Sequence, residues 1–139
     1  MASIRKEFEI DVPVEVAWAA FRDVGAVHER LARGFVVDCR LDGPDRVVTF
    51  ANGFVAREMI VDLDDRRRRL AYSARSERLA HHHASFELAD AGSGRTRVRW
   101  IADLLPDAAA AVVGAMMEDG SAAIRRTLAA VGCRLSAVG

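Results

Sequence analysis

Two residues near the middle of the chain, Glu58 and His82, are of the types that acid–base chemistry uses. His82 belongs to a run in which alternate residues are apolar, and Ala84, Phe86 and Leu88 share its side. Because successive side chains of a strand point to opposite faces, this run predicts a strand with His82 on its inner face. For Glu58 the pattern is ambiguous, since both faces of its strand hold apolar residues. Hydrophobicity alone favours the face without Glu58.

A glutamate and a histidine that face one apolar cavity could perform chemistry. Burial raises the pKa of a carboxyl group and lowers that of an imidazole, whereas pairing between the two opposes both shifts. Such a pair could orient a carbonyl or hydroxyl group of a ligand. It could also act as general acid and base in an aldol-type cyclisation or a dehydration, with Tyr72 as a polar helper. The structural alternative is a buried pair, or a Glu58 bonded to Arg57 or Tyr72, that only shapes the pocket.

Other polar motifs in the sequence favour solvated surface. His81 and His83 share the outer face of their strand and could ligate a metal ion, but no third ligand stands at a defined spacing, so we expect no metal site. The arginines 66–69 follow several aspartates at a predicted hairpin, which indicates a solvated turn. Ser-His-Asp order, HExxH and a phosphate-cradling glycine loop are all absent from the sequence, and we expect no cofactor. Cys39 and Cys133 have no motif spacing, which indicates reduced thiols.

A long C-terminal helix must provide one wall around these residues. Pro106 and Asp107 are a typical helix start, and the pattern predicts a helix over residues 106–135. Gly114 and Gly120 each cost about 1 kcal/mol relative to alanine, so this helix depends on packing for its stability. One stripe of the helix carries its larger apolar residues at helical spacing: Val113, Met116, Met117, Ile124, Leu128, Val131 and Leu135.

The rest of the chain predicts an antiparallel sheet that meets this stripe. A strand over residues 4–10 is followed by two short helices, near residues 14–21 and 28–35. Six further strands lie between residues 36 and 104, separated by turns rich in Asp, Gly, Asn and Pro. Alternation in the first of these six strands puts Val37, Cys39 and Leu41 on the inner face. Strands followed by a covering helix predict an α+β domain.

Composition limits the function classes. The 139 residues include 20 basic and 20 acidic side chains, and this balance argues against a nucleic-acid partner recognised by bulk charge. A hydrophobic content of 51% suits a single domain over residues 1–139 with one core. The N-terminus has no secretory pattern, and the most apolar window, residues 104–117, is shorter than the ~20 residues a spanning helix needs. We expect a cytoplasmic protein without membrane insertion, and a homodimer is compatible with the sequence.

The stretch from Gly53 to Tyr72 carries a family resemblance. An apolar-Arg-Glu strand, the sequence Leu-Asp-Asp-Arg and a strand that ends in tyrosine follow one another there. This stretch resembles the polyketide cyclase/dehydrase branch of the START-like, Bet v 1-like (SRPBCC) superfamily. The resemblance continues through residues 82–88 and 94–100, the first short helix and the terminal helix. It implies a helix-grip fold, in which a curved antiparallel seven-stranded sheet wraps around the long C-terminal helix, with two short helices after the first strand.

The resemblance also implies a cavity between sheet and helix that holds a small hydrophobic or amphipathic ligand, in a carrier or sequestering role. The alternative is a cyclase or dehydratase that uses Glu58 and His82. Glu58 matches a cavity-facing glutamate of the plant abscisic-acid receptors, which resolves the ambiguous strand in part. Val37 falls where those receptors carry a ligand-pairing lysine, so that contact is absent, and the receptors' gate sequence is not reproduced; we therefore expect no hormone sensing. The receptors' gate loops correspond to residues 50–53 and 78–81.

Thirteen residues are therefore expected on the cavity wall: Val37, Cys39, Phe50, Glu58, Ile60, Tyr72, His82, Trp100, Val113, Met116, Met117, Gly120 and Ile124. On the long helix, the part from Val113 to Ile124 should face the cavity. The part from Leu128 to Leu135 should pack against the two short helices.

Overall fold

The computed structural model describes the backbone of residues 1–138 and the side chains of residues 1–136. Its helices are α1 (Val14–Arg22), a π-helix (Val27–Leu31), a 3-10 turn (Asp107–Ala109) and α2 (Ala110–Val138). Its strands are β1 (Ala2–Ile10), β2 (Val36–Asp42), β3 (Asp45–Phe50), β4 (Val55–Asp64), β5 (Arg69–Arg75), β6 (His81–Gly92) and β7 (Arg95–Leu105).

The strands form one curved sheet in the order β1-β7-β6-β5-β4-β3-β2, and every neighbouring pair is antiparallel. β1 and β2 are therefore its two edges. The chain passes from one edge to the other through α1 and the π-helix, and then returns strand by strand. This is the predicted helix-grip fold, with two short helices after the first strand and a long C-terminal helix.

Three helical elements cover the inner face of the sheet at different places. α2 lies against β1 at one edge and against the π-helix, which itself packs on β2 at the other edge. α1 packs against β6 and β7, where the rings of Phe21 and Phe86 meet edge to face with centroids 5.0 Å apart. The indole N–H of Trp18 donates to a carboxylate oxygen of Asp65 at 2.8 Å and ties α1 to the β4–β5 turn. The space over the middle strands is thus bounded on several sides.

The inner faces of β5, β6 and β7 follow the sequence pattern. In β6 and β7 the residues predicted to face inward are all buried: His82, Ala84, Phe86, Leu88, Val98, Trp100, Ala102 and Leu104. In β5, Leu70 and Tyr72 are buried and Ala74 is half-buried. Regular antiparallel pairing preserves the two-residue period along these strands, so alternation in the sequence is sufficient to assign their faces.

β2 departs from the prediction because it contains a β-bulge. The pairing shifts between Val36 and Asp38, so Val37 is an extra residue in the strand. Val36 and Cys39 are buried, whereas Val37 is 53% exposed. A bulge places two residues of one strand opposite one residue of its partner and reverses the alternation. The predicted inward position of Val37 is wrong for this reason. Leu41 keeps the phase of Cys39 but lies near the end of the strand and is 59% exposed.

A second bulge lies in β4 and resolves its ambiguity. The register shifts between Ile60 and Asp62, which makes Val61 the extra residue, and Val61 is exposed. Before the bulge Glu58 is buried on the inner face, and after it Leu63 packs against the core. The strand therefore uses one phase for its first half and the other for its second. This explains why both phases carried apolar residues.

Two helical predictions also need correction. The second short helix, expected near residues 28–35, is the five-residue π-helix, in which the N–H of Ala32 donates to the carbonyl of Val27 at 2.8 Å. In α2, Leu128 is buried and Val131 is half-buried, but Leu135 is 50% exposed. The packing predicted to continue to Leu135 stops one turn earlier, since the helix extends beyond the elements it covers.

Two glycines of α2 allow a matched test of its packing. A Cβ on Gly132 would lie 2.8 Å from the carbonyl oxygen of Asp11, whereas one on Gly114 would find its nearest neighbour, Ile4 Cδ1, at 3.8 Å. We expect Gly132→Ala to lower the free energy of unfolding by about 1–3 kcal/mol through steric strain. Gly114→Ala should raise it by up to about 1 kcal/mol through helix propensity. Urea denaturation measures both, and a Gly132→Ala protein as stable as the unsubstituted chain would contradict the packing.

Candidate ligand cavity

A cavity of about 410 Å³ lies between α2 and the inner face of the sheet. Its wall is mainly apolar and combines side chains of the π-helix, the strands β2 to β7 and the start of α2. Among the residues that the sequence predicted on this wall, the following line it: Phe50, Glu58, Tyr72, His82, Trp100, Val113, Met116, Met117 and Ile124. The part of α2 from Val113 to Ile124 therefore contributes to the cavity, together with the preceding 3-10 turn.

Four predicted wall residues lie elsewhere. Val37 is on the exposed side of the β2 bulge. Cys39 is buried, and its Sγ lies 3.6 Å from the carbonyl oxygen of Val24. Burial raises the pKa of the Cys39 thiol. Ile60 packs into the core opposite Tyr72.

Gly120 lies behind the wall rather than on it. A Cβ at this position would approach the rings of Trp100 and Phe35 to 3.1 and 3.2 Å. The glycine thus allows these two aromatic side chains, which do line the cavity, to pack directly on the helix backbone. Gly120 therefore allows close packing of the aromatic wall against α2, and it does not provide space for a ligand.

The mouth of the cavity lies at the end opposite α1. Asn52 from the β3–β4 turn, Arg78 from the β5–β6 loop and Val112 from the start of α2 line it, and all three are exposed. The loops over residues 50–53 and 78–81, which the resemblance matched to receptor gate loops, both contribute wall residues. At the other end of the cavity Phe86 stacks on Trp100, with ring centroids 4.5 Å apart. Phe86 also contacts Phe21 of α1.

Glu58 forms a buried ion pair with Arg46, a residue that the sequence argument missed. The two residues face each other directly in the β3–β4 ladder, and Arg46 Nε donates to Glu58 Oε1 at 2.8 Å. Their side chains are 4% and 10% exposed. A second guanidinium N–H of Arg46 donates to the carbonyl of Val24 at 3.3 Å. A buried charge is costly unless it is paired, and here each charge compensates the other.

The expected partners of Glu58 are therefore wrong. Arg57 lies on the outer face and pairs with Asp42 and Asp45. The Tyr72 hydroxyl accepts a hydrogen bond from Trp100 Nε1 at 3.1 Å. The signal for Arg46 was present in the sequence, because Arg46 alternates with Val48 and Phe50 and so shares their inward phase.

Two hydrogen bonds from β5 fix the position of His82 at the end of the β5–β6 ladder. Its Nδ1 accepts a hydrogen bond from the backbone N–H of Ala74 at 3.0 Å, and its carbonyl accepts one from the Ser73 hydroxyl at 2.6 Å. Since Nδ1 is an acceptor, the ring proton of the neutral imidazole is on Nε2. Burial lowers the pKa of His82 to about 4, and the neighbouring His83 and His81 act in the same direction. His82 is therefore neutral at physiological pH.

Tyr72 completes the polar part of the wall. Its ring lies 5.3 Å from the guanidinium carbon of Arg46 and 5.9 Å from the ring of His82. Burial raises the pKa of the phenol, and the charge of Glu58 adds to this effect. Arg46, Glu58, Tyr72 and His82 thus form a strip across β3, β4, β5 and β6 that is polar but without net charge.

This arrangement can bind and orient a ligand more readily than it can transfer protons. Glu58 is paired with a permanent cation, and His82 is bonded to the backbone; no hydrogen bond between the two appears among the described side chains. The part of the chain with described side chains contains no group of three His, Cys, Asp or Glu residues placed to hold a metal ion.

Comparison with known proteins gives the family. Residues 1–135 match the sequence profile described as "Polyketide cyclase / dehydrase and lipid transport". The chain belongs to this family. The family match confirms the polyketide cyclase/dehydrase membership that the resemblance predicted. The fold and the order of elements described above are those that the resemblance to this family implied. No curated protein matches the sequence.

Several solved structures share this family fold. An uncharacterised protein from Bacillus thuringiensis is 18% identical, with a TM-score of 0.81, over 91% of this chain and 98% of that one. A START superfamily protein from Mycobacterium smegmatis is 11% identical, with a TM-score of 0.73, over 96% and 98%. The di-domain ARO/CYC BexL of the BE-7585A biosynthetic pathway is 15% identical, with a TM-score of 0.74, over 91% of this chain and 46% of BexL. At these identities the likeness establishes the fold alone.

Among residues 1–138, no helix combines the length and the apolar character that crossing a bilayer requires.

The lowered pKa of His82 predicts a pH dependence of stability. The unfolded chain binds a proton at this residue near pH 6.5, whereas the folded chain does so only near pH 4. The free energy of unfolding should therefore fall as the pH is lowered from 6.5 to about 4, by up to about 3 kcal/mol. His82→Asn should remove this part of the loss, and His81→Asn, an exposed change on the same strand, should retain it. Urea titrations at several pH values measure the difference; equal pH profiles for all three proteins would contradict the assignment.

Proposed function

We propose that this protein binds a small apolar or amphipathic ligand in the cavity between α2 and the sheet, and carries or sequesters it. The observation that carries this proposal is the cavity itself. At about 410 Å³ it is within the range of roughly 300–1,000 Å³ that is typical of small-molecule sites. Its wall is mainly apolar with a few convergent polar groups, which is the usual composition of such sites.

The wall suits ligands of irregular shape. Met116 and Met117 contribute flexible, polarizable side chains from α2, and Phe86 and Trp100 contribute flat aromatic surface from the sheet. Methionine adapts its conformation to different ligands at little cost, whereas stacked aromatic rings keep theirs. A rigid sheet wall opposite an adaptable helix wall supports binding of a flat apolar body.

The mouth supports an amphipathic orientation of the ligand. The exposed residues around it combine apolar Val112 with polar Asn52 and cationic Arg78. An apolar body would be buried towards Phe86, and a polar end would remain at the opening beside Asn52 and Arg78. The ligand would enter and leave between the two turns and the start of α2, where these exposed residues line the cavity.

A catalytic role has less support from the site. The family description includes cyclases and dehydrases, and BexL, an ARO/CYC protein, has the same fold. A cyclase or dehydratase built on Glu58 and His82 would need the two groups to act on one ligand. In this chain Glu58 is neutralised by Arg46, and a histidine with a pKa of about 4 is a weak base at neutral pH. We therefore propose binding rather than catalysis as the primary function.

The same proposal treats the chain as one domain that acts in the cytoplasm. The family match spans residues 1–135, which supports a single unit. Cys39 and Cys133 are both free thiols, which is typical of proteins in a reducing compartment.

A matched pair of tryptophan substitutions on α2 tests the proposal. Val113 lines the cavity and is half-buried, whereas Leu135 is exposed at the far end of the same helix. The neutral fluorophore N-phenyl-1-naphthylamine should brighten on binding to the unsubstituted protein. Val113→Trp should weaken this binding at least about tenfold, because the larger ring occupies the ligand's space. Leu135→Trp should leave it unchanged. Absence of binding to the unsubstituted protein, or equal binding by both variants, would contradict the proposal.

A further inference from the structure

We propose that His82 is a fixed N–H donor that selects, among apolar ligands, those with a neutral carbonyl-type oxygen. This inference rests on the proposed ligand-binding function and specifies the chemical class of the ligand. It concerns one atom, Nε2 of His82, and the features of β5 and β6 that orient it.

The orientation follows from how the β5–β6 ladder ends. Backbone pairing between the two strands stops at Tyr72 and Ala84. Beyond this point side chains replace the ladder: the N–H of Ala74 donates to His82 Nδ1 at 3.0 Å, and the Ser73 hydroxyl donates to the His82 carbonyl at 2.6 Å. One bond fixes the ring and the other fixes the backbone that carries it. The imidazole therefore has little freedom to rotate or to change its tautomer.

The remaining ring nitrogen is a donor without a protein partner. With Nδ1 occupied as an acceptor, the proton is on Nε2, and no described protein atom accepts it. His82 is only 8% exposed and lines the cavity. Nε2 is not fully enclosed by protein atoms, so a ligand in the cavity can reach it, and a ligand that provides an acceptor gains a hydrogen bond in mainly apolar surroundings.

The charges around the cavity specify that this acceptor is neutral. The buried cation of the wall is Arg46, and Glu58 already compensates it at 2.8 Å. A carboxylate placed beside His82 would lose its hydration and meet a neutral donor, without a free buried cation to compensate its charge. A ketone, aldehyde, ester or amide oxygen avoids this desolvation cost and still accepts the hydrogen bond. Arg78 is exposed at the mouth and does not change the balance in the interior.

Three naphthalene probes of nearly equal shape separate these ligand classes. 2-Acetylnaphthalene has the carbonyl oxygen, 2-isopropenylnaphthalene replaces it with a methylene group, and 2-naphthoate carries a charge. The measured quantity is the ratio of ketone affinity to hydrocarbon affinity, because comparing this ratio between proteins removes differences in hydrophobicity. Naphthoate should bind more weakly than the ketone; tighter binding of naphthoate would overturn the neutral specificity.

Two substitutions of His82 separate its two nitrogens. In His82→Asn the side-chain oxygen can replace Nδ1 as the acceptor for Ala74 but the donor no longer reaches the ligand. In His82→Gln the terminal amide can replace Nε2 as the donor while the bond to Ala74 is lost. We expect the ratio to fall about fivefold in His82→Asn, which is the effect of losing one neutral hydrogen bond. In His82→Gln it should be retained, together with a lower melting temperature.

The outcomes distinguish this inference from the proposed function. If neither ketone nor hydrocarbon binds the unsubstituted protein, the proposed function fails. If both bind but the ratio is the same in the unsubstituted protein and in His82→Asn, ligand binding stands and the inference about His82 fails. Should the variants not fold, ¹⁵N spectra of the unsubstituted protein decide: the His82 Nε2–H resonance should shift with the ketone and not with the hydrocarbon. Equal shifts with both ligands would overturn the inference.

Discussion

One helix is too narrow to cover the inner face of a seven-stranded sheet, and the rest of the structure depends on this mismatch. α2 lies on β1 at one edge and on the π-helix at the other, while α1 closes one end against β6 and β7. The middle strands therefore face a space that no helix fills. Side chains fill part of it, and the remaining volume is the cavity. The cavity is a consequence of the fold's geometry.

An unfilled space of this kind requires that the polar groups on its wall be satisfied by the protein. Glu58 and Arg46 achieve this through direct cross-strand pairing, and the Tyr72 hydroxyl accepts from Trp100. His82 achieves it only in part, because its Nδ1 is bonded whereas its Nε2 has no partner among the described residues. The wall thus carries no net charge and presents the oriented ring of His82. Under the proposed function, that combination would favour neutral ligands with a polar group over ions and over plain hydrocarbons.

The sequence predicted the elements well and the details of two strands poorly. Period-two alternation assigned β6 and β7 correctly, because their pairing is regular near the site. Alternation gave the wrong face for Val37 and could not assign the faces of β4. A bulge inserts one residue and reverses the phase, and the sequence pattern does not show where this happens. The family resemblance placed Glu58 on the inner face, but it did not predict that Glu58 forms an ion pair with Arg46. Arg46 was recognisable only by combining its inward phase with the register that places it opposite Glu58.

The central claim is that an apolar molecule can occupy the space between α2 and the sheet. Xenon binding followed by methyl NMR tests this directly, because xenon enters apolar cavities and shifts the methyl groups around it. The methyl resonances of Val113, Met117 and Ile124 should shift and saturate with xenon pressure, whereas those of the exposed Val37 and Val61 should show only weak, non-saturating changes. Equal, non-saturating shifts for both groups would mean that the cavity is filled and would contradict the account.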